Sequence, residues 1–258
     1  MPFVLFTVAL IFTVLGFVKF VYFISIGYGF SVAAMGLYML IAGQGRAVAP
    51  CVLLVLYGLR LGGYLLAREM KSANYRKLLA REIQDGSGMN LLVKIACWAA
   101  CALLYVLMVS PVMFRVLSLP DADGFRTAGV FVMCCGLVLE AAADMQKSAA
   151  KRKNPHRFVD TGLYRVVRCP NYLGEILFWT GVLLSGIPAL TSPLRVLAAL
   201  VGWICIVYIM FGGARRLELR QERNYGEDPA YRAYVKKTPI ILPFVPLYSV
   251  AKYKWLIG

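Results

Sequence analysis

The sequence predicts an all-α integral membrane protein of seven transmembrane helices, with the N-terminus outside and the C-terminus cytoplasmic. Three observations lead there. Of the 258 residues, 60% are hydrophobic and only 16% are charged, against roughly a quarter charged in ordinary soluble domains. The mean hydropathy is +0.69. Seven apolar runs divide the chain, most of them close to the roughly 20 residues that cross a bilayer as a helix. A net charge of +15, from 28 Lys+Arg against 13 Asp+Glu, would suggest nucleic acid in a soluble chain. Beside so many apolar runs it marks a cytoplasmic face.

The runs lie near Pro2 to Val18, Ile24 to Ala42, Ala49 to Ala67, Leu91 to Met113, Ala128 to Asp144, Tyr172 to Pro188 and Leu194 to Gly213. The first has no basic leader and no small-residue cleavage pattern before Lys19, so it reads as a span rather than a signal peptide. The sixth starts just after Pro170, which suits a tilted or re-entrant helix. Seven spans place 23 basic residues on one side: Lys19, the segment 68–94, the segment 147–168 and the tail from Arg215 to Lys254. The other side holds four, Arg46, Arg115, Arg126 and Arg195, and Arg60 lies within a span. That asymmetry sets the orientation. A single polytopic domain of residues 1–258 results, with two N-terminal helices (1–48) as a substrate-side wall and five helices with their loops (49–258) as the catalytic part. No 20–50-residue repeat interrupts it.

Seven cysteines sit mostly in apolar runs at no zinc-ligand spacing, and His156 is the one histidine. The cysteines read as small buried hydrophobes. A histidine-rich metal site or a helix-borne catalytic triad is excluded, so other groups carry any chemistry.

In the third run Tyr57, Arg60, Tyr64 and Arg68 fall at helical spacing on one stripe about 16 Å long. An arginine within an apolar run costs roughly 3 kcal/mol or more at the bilayer centre. Arg60 therefore either faces a cavity or ligand, or snorkels to the headgroups from an aromatic packing face. On the fifth run Glu140 and Asp144 stand one turn apart, with Lys147 and Lys151 following. They either accept hydrogen bonds from ribose, carboxamide or arginine groups, or form a salt-bridged helix end. Asn171, Glu175 and Trp179 share one face of a helix opened by Cys169-Pro170. A carboxylate such as Glu175 inside an apolar run demands a partner and marks a candidate site, though pinning two helices together is the alternative.

The string from Gly162 to Glu175, GLYRVVRCPNYLGE, resembles the signature of the steroid 5-alpha-reductase family and its bacterial relatives. The tyrosine-arginine stripe of the third run, Asp144 before its basic loop, and more loosely Tyr231 or Tyr234, Lys236-Lys237 and Leu242-Pro243-Phe244 are similar to that family as well. The resemblance covers about Val55 to Phe244. It implies a seven-helix membrane enzyme that uses NADPH to reduce the 4,5 double bond of 3-oxo-4-ene steroids or similar lipophilic enones. It further implies that Tyr57 is catalytic, donating a hydrogen bond to the substrate ketone. Tyr64, Arg68, Asp144, Lys151, Arg157, Asn171, Glu175 and Trp179 match positions lining the NADPH site, and Arg216, Arg220, Tyr225 and Lys236 would close it. The family's second-helix glutamate, partner of the catalytic tyrosine, has no counterpart, because the first acidic residue here is Glu69. Tyr22, Tyr28, Tyr38 and Gln44 are the polar candidates for its place.

These residues suit a long anionic cofactor: a deep phenol, a stripe of hydrogen-bonding groups and a basic collar. No glycine-rich strand-to-helix turn is available, so arginine and lysine contacts would replace it. The reaction implied is conjugate reduction, with Tyr57 stabilising the enolate oxygen as hydride reaches the β carbon. The expected partners are a steroid or other lipophilic enone and membrane lipid, with no nucleic acid and no obligate protein partner. The expected location is a bacterial-type inner membrane, or the endoplasmic reticulum in a eukaryote, with the cofactor end cytoplasmic. Two other readings compete. An isoprenylcysteine carboxyl methyltransferase-like enzyme would bind S-adenosylmethionine, although Cys169 stands where its histidine would be. A non-catalytic sterol- or lipid-binding membrane protein would bind no NADPH.

Overall fold

The computed structural model describes residues 1–71, 88–118 and 123–256. Among them run eight α-helices: α1 (Pro2–Thr13), α2 (Ile26–Ala42), α3 (Val48–Lys71), α4 (Leu91–Ser118), α5 (Gly124–Lys153), α6 (Pro170–Gly186), α7 (Pro193–Tyr225) and α8 (Pro229–Lys237). Short 3-10 turns join some of them, and no strand occurs among the described residues. Arg76, Lys77 and Arg81, counted with the basic face, lie outside the described residues.

Six helical segments are long and apolar enough to cross a membrane: Phe20–Ala42, Val48–Lys71, Leu91–Ser118, Gly124–Lys153, Pro170–Ala189 and Pro193–Tyr225. They match six of the seven expected runs. The first run instead gives a shorter helix, Pro2–Phe17, whose last turn tightens to 3-10 geometry at Val14–Phe17. Two contacts accompany that turn. The Thr13 hydroxyl bends back to donate to the Ala9 carbonyl at 2.6 Å. Gly16 lies against the Phe23 ring, which a Cβ there would meet at 2.1 Å.

The chain forms two compact units, Met1–Val130 with Val182–Trp203, and Phe131–Gly181 with Ile204–Gly258. In the first unit α2 and α3 approach through glycines. A Cβ on Gly29 would stand 2.6 Å from the Gly62 nitrogen, and one on Gly58 would stand 2.4 Å from the Gly29 carbonyl. Small residues at such a crossing let backbones nearly touch, the usual source of helix affinity in lipid. Gly58→Leu should therefore force the helices apart and destabilise the fold by about 1–3 kcal/mol or more. Gly63→Ala is the control, since nothing lies within 4 Å of a Cβ there. Thermal unfolding of the two variants in detergent checks the contrast.

Arg115, placed by the sequence reading on the lesser basic face, is buried in the first unit. It donates to the Ser185 carbonyl at 2.7 Å and pairs with Asp123. That hydrogen bond holds the Asp123 carboxyl below the usual carboxylate range. Glu69, also buried, takes hydrogen bonds from Lys19 and Tyr22.

In the second unit α5 and α6 cross at another glycine pair. A Cβ on Gly136 would lie 2.6 Å from the Gly174 carbonyl and 2.4 Å from the Phe178 nitrogen, and one on Gly174 would lie 2.7 Å from the Glu140 nitrogen. The segment after α8 returns to the start of α6, where the Arg168 and Cys169 amides donate to the Pro239 and Ile240 carbonyls at 2.8 and 2.9 Å. Cys169, Ile176, Ala214, Leu217, Ile240 and Ile241 form the core there. The helix α8 begins at Pro229 and is capped by Asp228, which accepts from the Ala230 amide at 2.8 Å.

Candidate functional site

The close glycine crossing of α2 and α3 brings two phenols together. The Tyr28 and Tyr57 hydroxyls lie 2.8 Å apart, and both side chains are buried. Their surroundings on these helices include Val32, Met35, Leu54 and Leu61, all buried and apolar. The Tyr28 ring packs against Tyr105 of α4, centroids 4.9 Å apart, and the Tyr105 hydroxyl donates to the Phe23 carbonyl at 2.6 Å. Three rings from three segments thus fix the phenol pair. Of the four polar candidates for the missing carboxylate, Tyr28 meets Tyr57, while Tyr22 donates to Glu69 instead.

Along the same stripe Tyr64 is half-buried with the Arg60 guanidinium 5.8 Å from its ring centroid. Arg68, in the last turn of α3, is exposed. The stripe therefore runs from a buried end at Tyr57 to an exposed one at Arg68, as the helical spacing predicts.

The second unit gathers the carboxylates. Glu140 and Asp144 on α5 and Glu175 on α6 are all buried, and the Gly136–Gly174 crossing sets the backbone of Glu140 against α6. Asn171, Glu175 and Trp179 follow one another at four-residue spacing along α6, with Trp179 buried edge-on to Phe178 at 5.5 Å. The Asn171 side-chain oxygen is buried and accepts no hydrogen bond, which leaves an acceptor for a ligand donor. Among the described residues no group of His, Cys, Asp and Glu gathers as metal ligands would.

Lys151 ends α5 with its ammonium hydrogen-bonded to the Pro155 and Arg157 carbonyls at 3.0 and 2.6 Å and to the Tyr225 hydroxyl at 2.9 Å. It therefore folds the loop after α5 onto the end of α7. Arg157 is exposed, pairs with Asp160 at 2.8 Å and covers the Phe158 ring. Phe158 is buried among Tyr225, Tyr231 and Tyr234, with ring centroids 5.3–5.9 Å away. Burial pushes the Tyr231 hydroxyl up to about 12 despite the neighbouring Arg168, and raises Tyr234 as well. Arg216 and Lys236 are exposed, and Arg220 is half-buried.

Two features have no signal in the local sequence. Arg168 and Glu218 form a buried ion pair at 2.9 Å, whose partners lie 50 residues apart. The aromatic cluster around Phe158 draws on three segments and could be found from sequence only through the tail tyrosines. Burial lifts the Cys169 thiol to about 12, with Lys147 and Arg168 pulling the other way. It lies buried in the core formed with Ile176, Ala214 and Leu217.

Six membrane-length apolar helices, with no strand among the described residues, mark a helical integral membrane protein. A family model matches residues 10–238, and the chain belongs to that family, DUF1295, described as a protein of unknown function. No curated protein and no solved structure matches the chain.

Proposed function

We propose that this chain is an NADPH-dependent reductase of lipophilic enones, 3-oxo-4-ene steroids among them, of the steroid 5-alpha-reductase kind. In this reading the chain crosses the membrane seven times, with the N-terminus outside and the cofactor end cytoplasmic. The supporting observation is the Tyr28–Tyr57 pair, 2.8 Å between hydroxyls, at the motif position of the catalytic tyrosine. It supplies what the missing glutamate left open, a hydrogen-bonded partner for Tyr57.

The Tyr57 hydroxyl donates to the enone oxygen. Negative charge grows on that oxygen during reduction, and a donor aimed there in a low-dielectric site lowers the barrier. With Tyr28 donating to the Tyr57 oxygen, Tyr57 turns its own proton toward the substrate. A proton then enters at the α carbon. Bound NADPH supplies the hydride.

The second unit carries groups that fit such a cofactor. The buried Asn171 oxygen takes a carboxamide or hydroxyl donor, Asp144 and Glu175 accept from ribose or amide groups, and Trp179 walls the site. Arg157, Arg216, Arg220 and Lys236 supply positive charge toward phosphates, while Lys151 and Tyr225 hold the loop that carries Arg157.

The test is NADPH oxidation by the purified protein in detergent, with and without progesterone, and the product identified by mass. Steroid-dependent oxidation with a gain of two hydrogens supports the reductase. S-adenosylmethionine binding without NADPH binding or turnover overturns it. Glu175→Gln should weaken NADPH binding in a fluorescence titration, and unchanged affinity and turnover would remove Glu175 from the cofactor site.

A further inference from the structure

The segment after α8 combines backbone strain, exposed aromatic rings and positive charge in one short stretch. The Ile240 amide donates to the Leu247 carbonyl at 2.9 Å, and the Leu247 amide to the Val245 carbonyl at 2.7 Å. These bonds close a tight turn that also contains Pro243 and Pro246. At its tip Phe244 adopts φ 65°, a left-handed conformation that disfavours a bulky residue. The strained backbone presents the phenylalanine ring at 98% exposure, while Leu242 and Leu247 pack into the core beneath it. In water the arrangement gains nothing from either the strain or the exposed ring.

The rest of the tail lies along α7. Tyr208 donates to the Trp255 carbonyl at 2.5 Å and stacks on its ring at 6.1 Å. Seven residues further, Arg215 donates to the Ala251 and Leu256 carbonyls at 3.1 and 3.4 Å. Between Tyr208 and Arg215 the helix changes from an apolar run to arginines, over about 10 Å of axis. The tail is therefore tied to α7 where that helix leaves the hydrocarbon. Trp255 is 63% exposed there, beside Tyr253 and the exposed Lys252 and Lys254. Exposed tryptophan and tyrosine favour the bilayer interface, and lysines close to it attract anionic headgroups.

We propose that residues 242–255 form an interfacial lipid-binding site. Phe244 and Trp255 insert at the headgroup–acyl boundary, and Lys252 and Lys254 bind the phosphate of an anionic phospholipid. The site is independent of the reductase reading. Its strained turn is stabilised by a bilayer that the ring enters.

The test uses the full chain in nanodiscs of mixed phosphatidylcholine and phosphatidylglycerol, with Phe244 replaced by the photoreactive p-benzoylphenylalanine. Irradiation should give a protein–lipid adduct by intact mass, enriched in phosphatidylglycerol over its share of the bilayer. Lys252→Gln with Lys254→Gln should return the adduct to the bulk ratio. The same photoreactive residue in place of the exposed Ala233 should give no lipid adduct. Absence of lipid adducts at 244, or adducts only between two copies of the chain, would overturn the site. A bulk lipid ratio with both lysines present would overturn the headgroup contact. The unaltered tail gives a second reading: brominated lipids should quench a fluorescence component that Trp255→Phe abolishes, and quenching equal in the two proteins counts against insertion.

Discussion

Replacing Tyr57 by phenylalanine should lower kcat for enone reduction at least about tenfold, equivalent to about 1.4 kcal/mol of barrier, with NADPH affinity unchanged. The reason is local. The variant keeps the ring that packs between α2 and α3 and loses only the hydroxyl that, in the proposed reaction, meets the substrate oxygen. Tyr28→Phe should give a smaller fall in kcat at unchanged KM if, as proposed, Tyr28 acts through Tyr57 by strengthening its donation. A purely structural role for Tyr28 predicts something else: lower thermal stability from loss of the buried Tyr28–Tyr57 hydrogen bond, with kcat per folded enzyme retained. Fluorinated tyrosine at position 28 separates the two further, since its more acidic hydroxyl donates more strongly at nearly the same shape. Steady-state kinetics with progesterone and active-site titration by NADPH read out all three proteins. Full turnover by Tyr57→Phe would show that another group holds the enone oxygen.

Six of the seven expected runs were legible as membrane-length helices, because the capacity to cross a bilayer depends on local apolarity and length, both written in consecutive residues. Helical spacing carried over equally well to the candidate groups: Tyr57 lies at the buried end of its stripe, Glu140 and Asp144 are buried together, and Glu175 and Trp179 share the buried side of α6. Contacts between distant segments were not legible. The 3-10 turn at Val14–Phe17 comes where Gly16 lies against the Phe23 ring, a tertiary contact that no apolar window reports. Arg115 counted only as a charge on the lesser basic side, because the Ser185 carbonyl that its buried guanidinium meets comes from 70 residues further along the chain. The tyrosine that meets Tyr57 was one of four polar residues with equal claim. The glycine crossing of α2 and α3 sets Tyr28 beside Tyr57, whereas Tyr22 lies in the 3-10 turn before α2 and reaches Glu69.

Glu218→Ala should be the most destabilising single change in the second unit. Glu218 binds Arg168 through one oxygen at 2.9 Å and the Val250 amide through the other at 2.9 Å, while Arg168 also donates to the Tyr248 carbonyl. One acid thus ties the residue before the Cys169-Pro170 turn to the tail. Both side chains are almost wholly buried, at 1% and 7% exposure. Removing the acid strands a buried guanidinium and an amide, a loss of about 3–5 kcal/mol. Replacing the pair together, Arg168→Met with Glu218→Leu, should recover much of that loss, because the desolvation of both charges is relieved at once. The local consequence is release of the tail, so trypsin should cut after Lys252 and Lys254 sooner in Glu218→Ala than in the double variant. Thermal unfolding in detergent gives the stability order. If the single and double variants unfold alike and shed the tail alike, apolar packing around Ile240 and Val250 holds the tail and the ion pair does not.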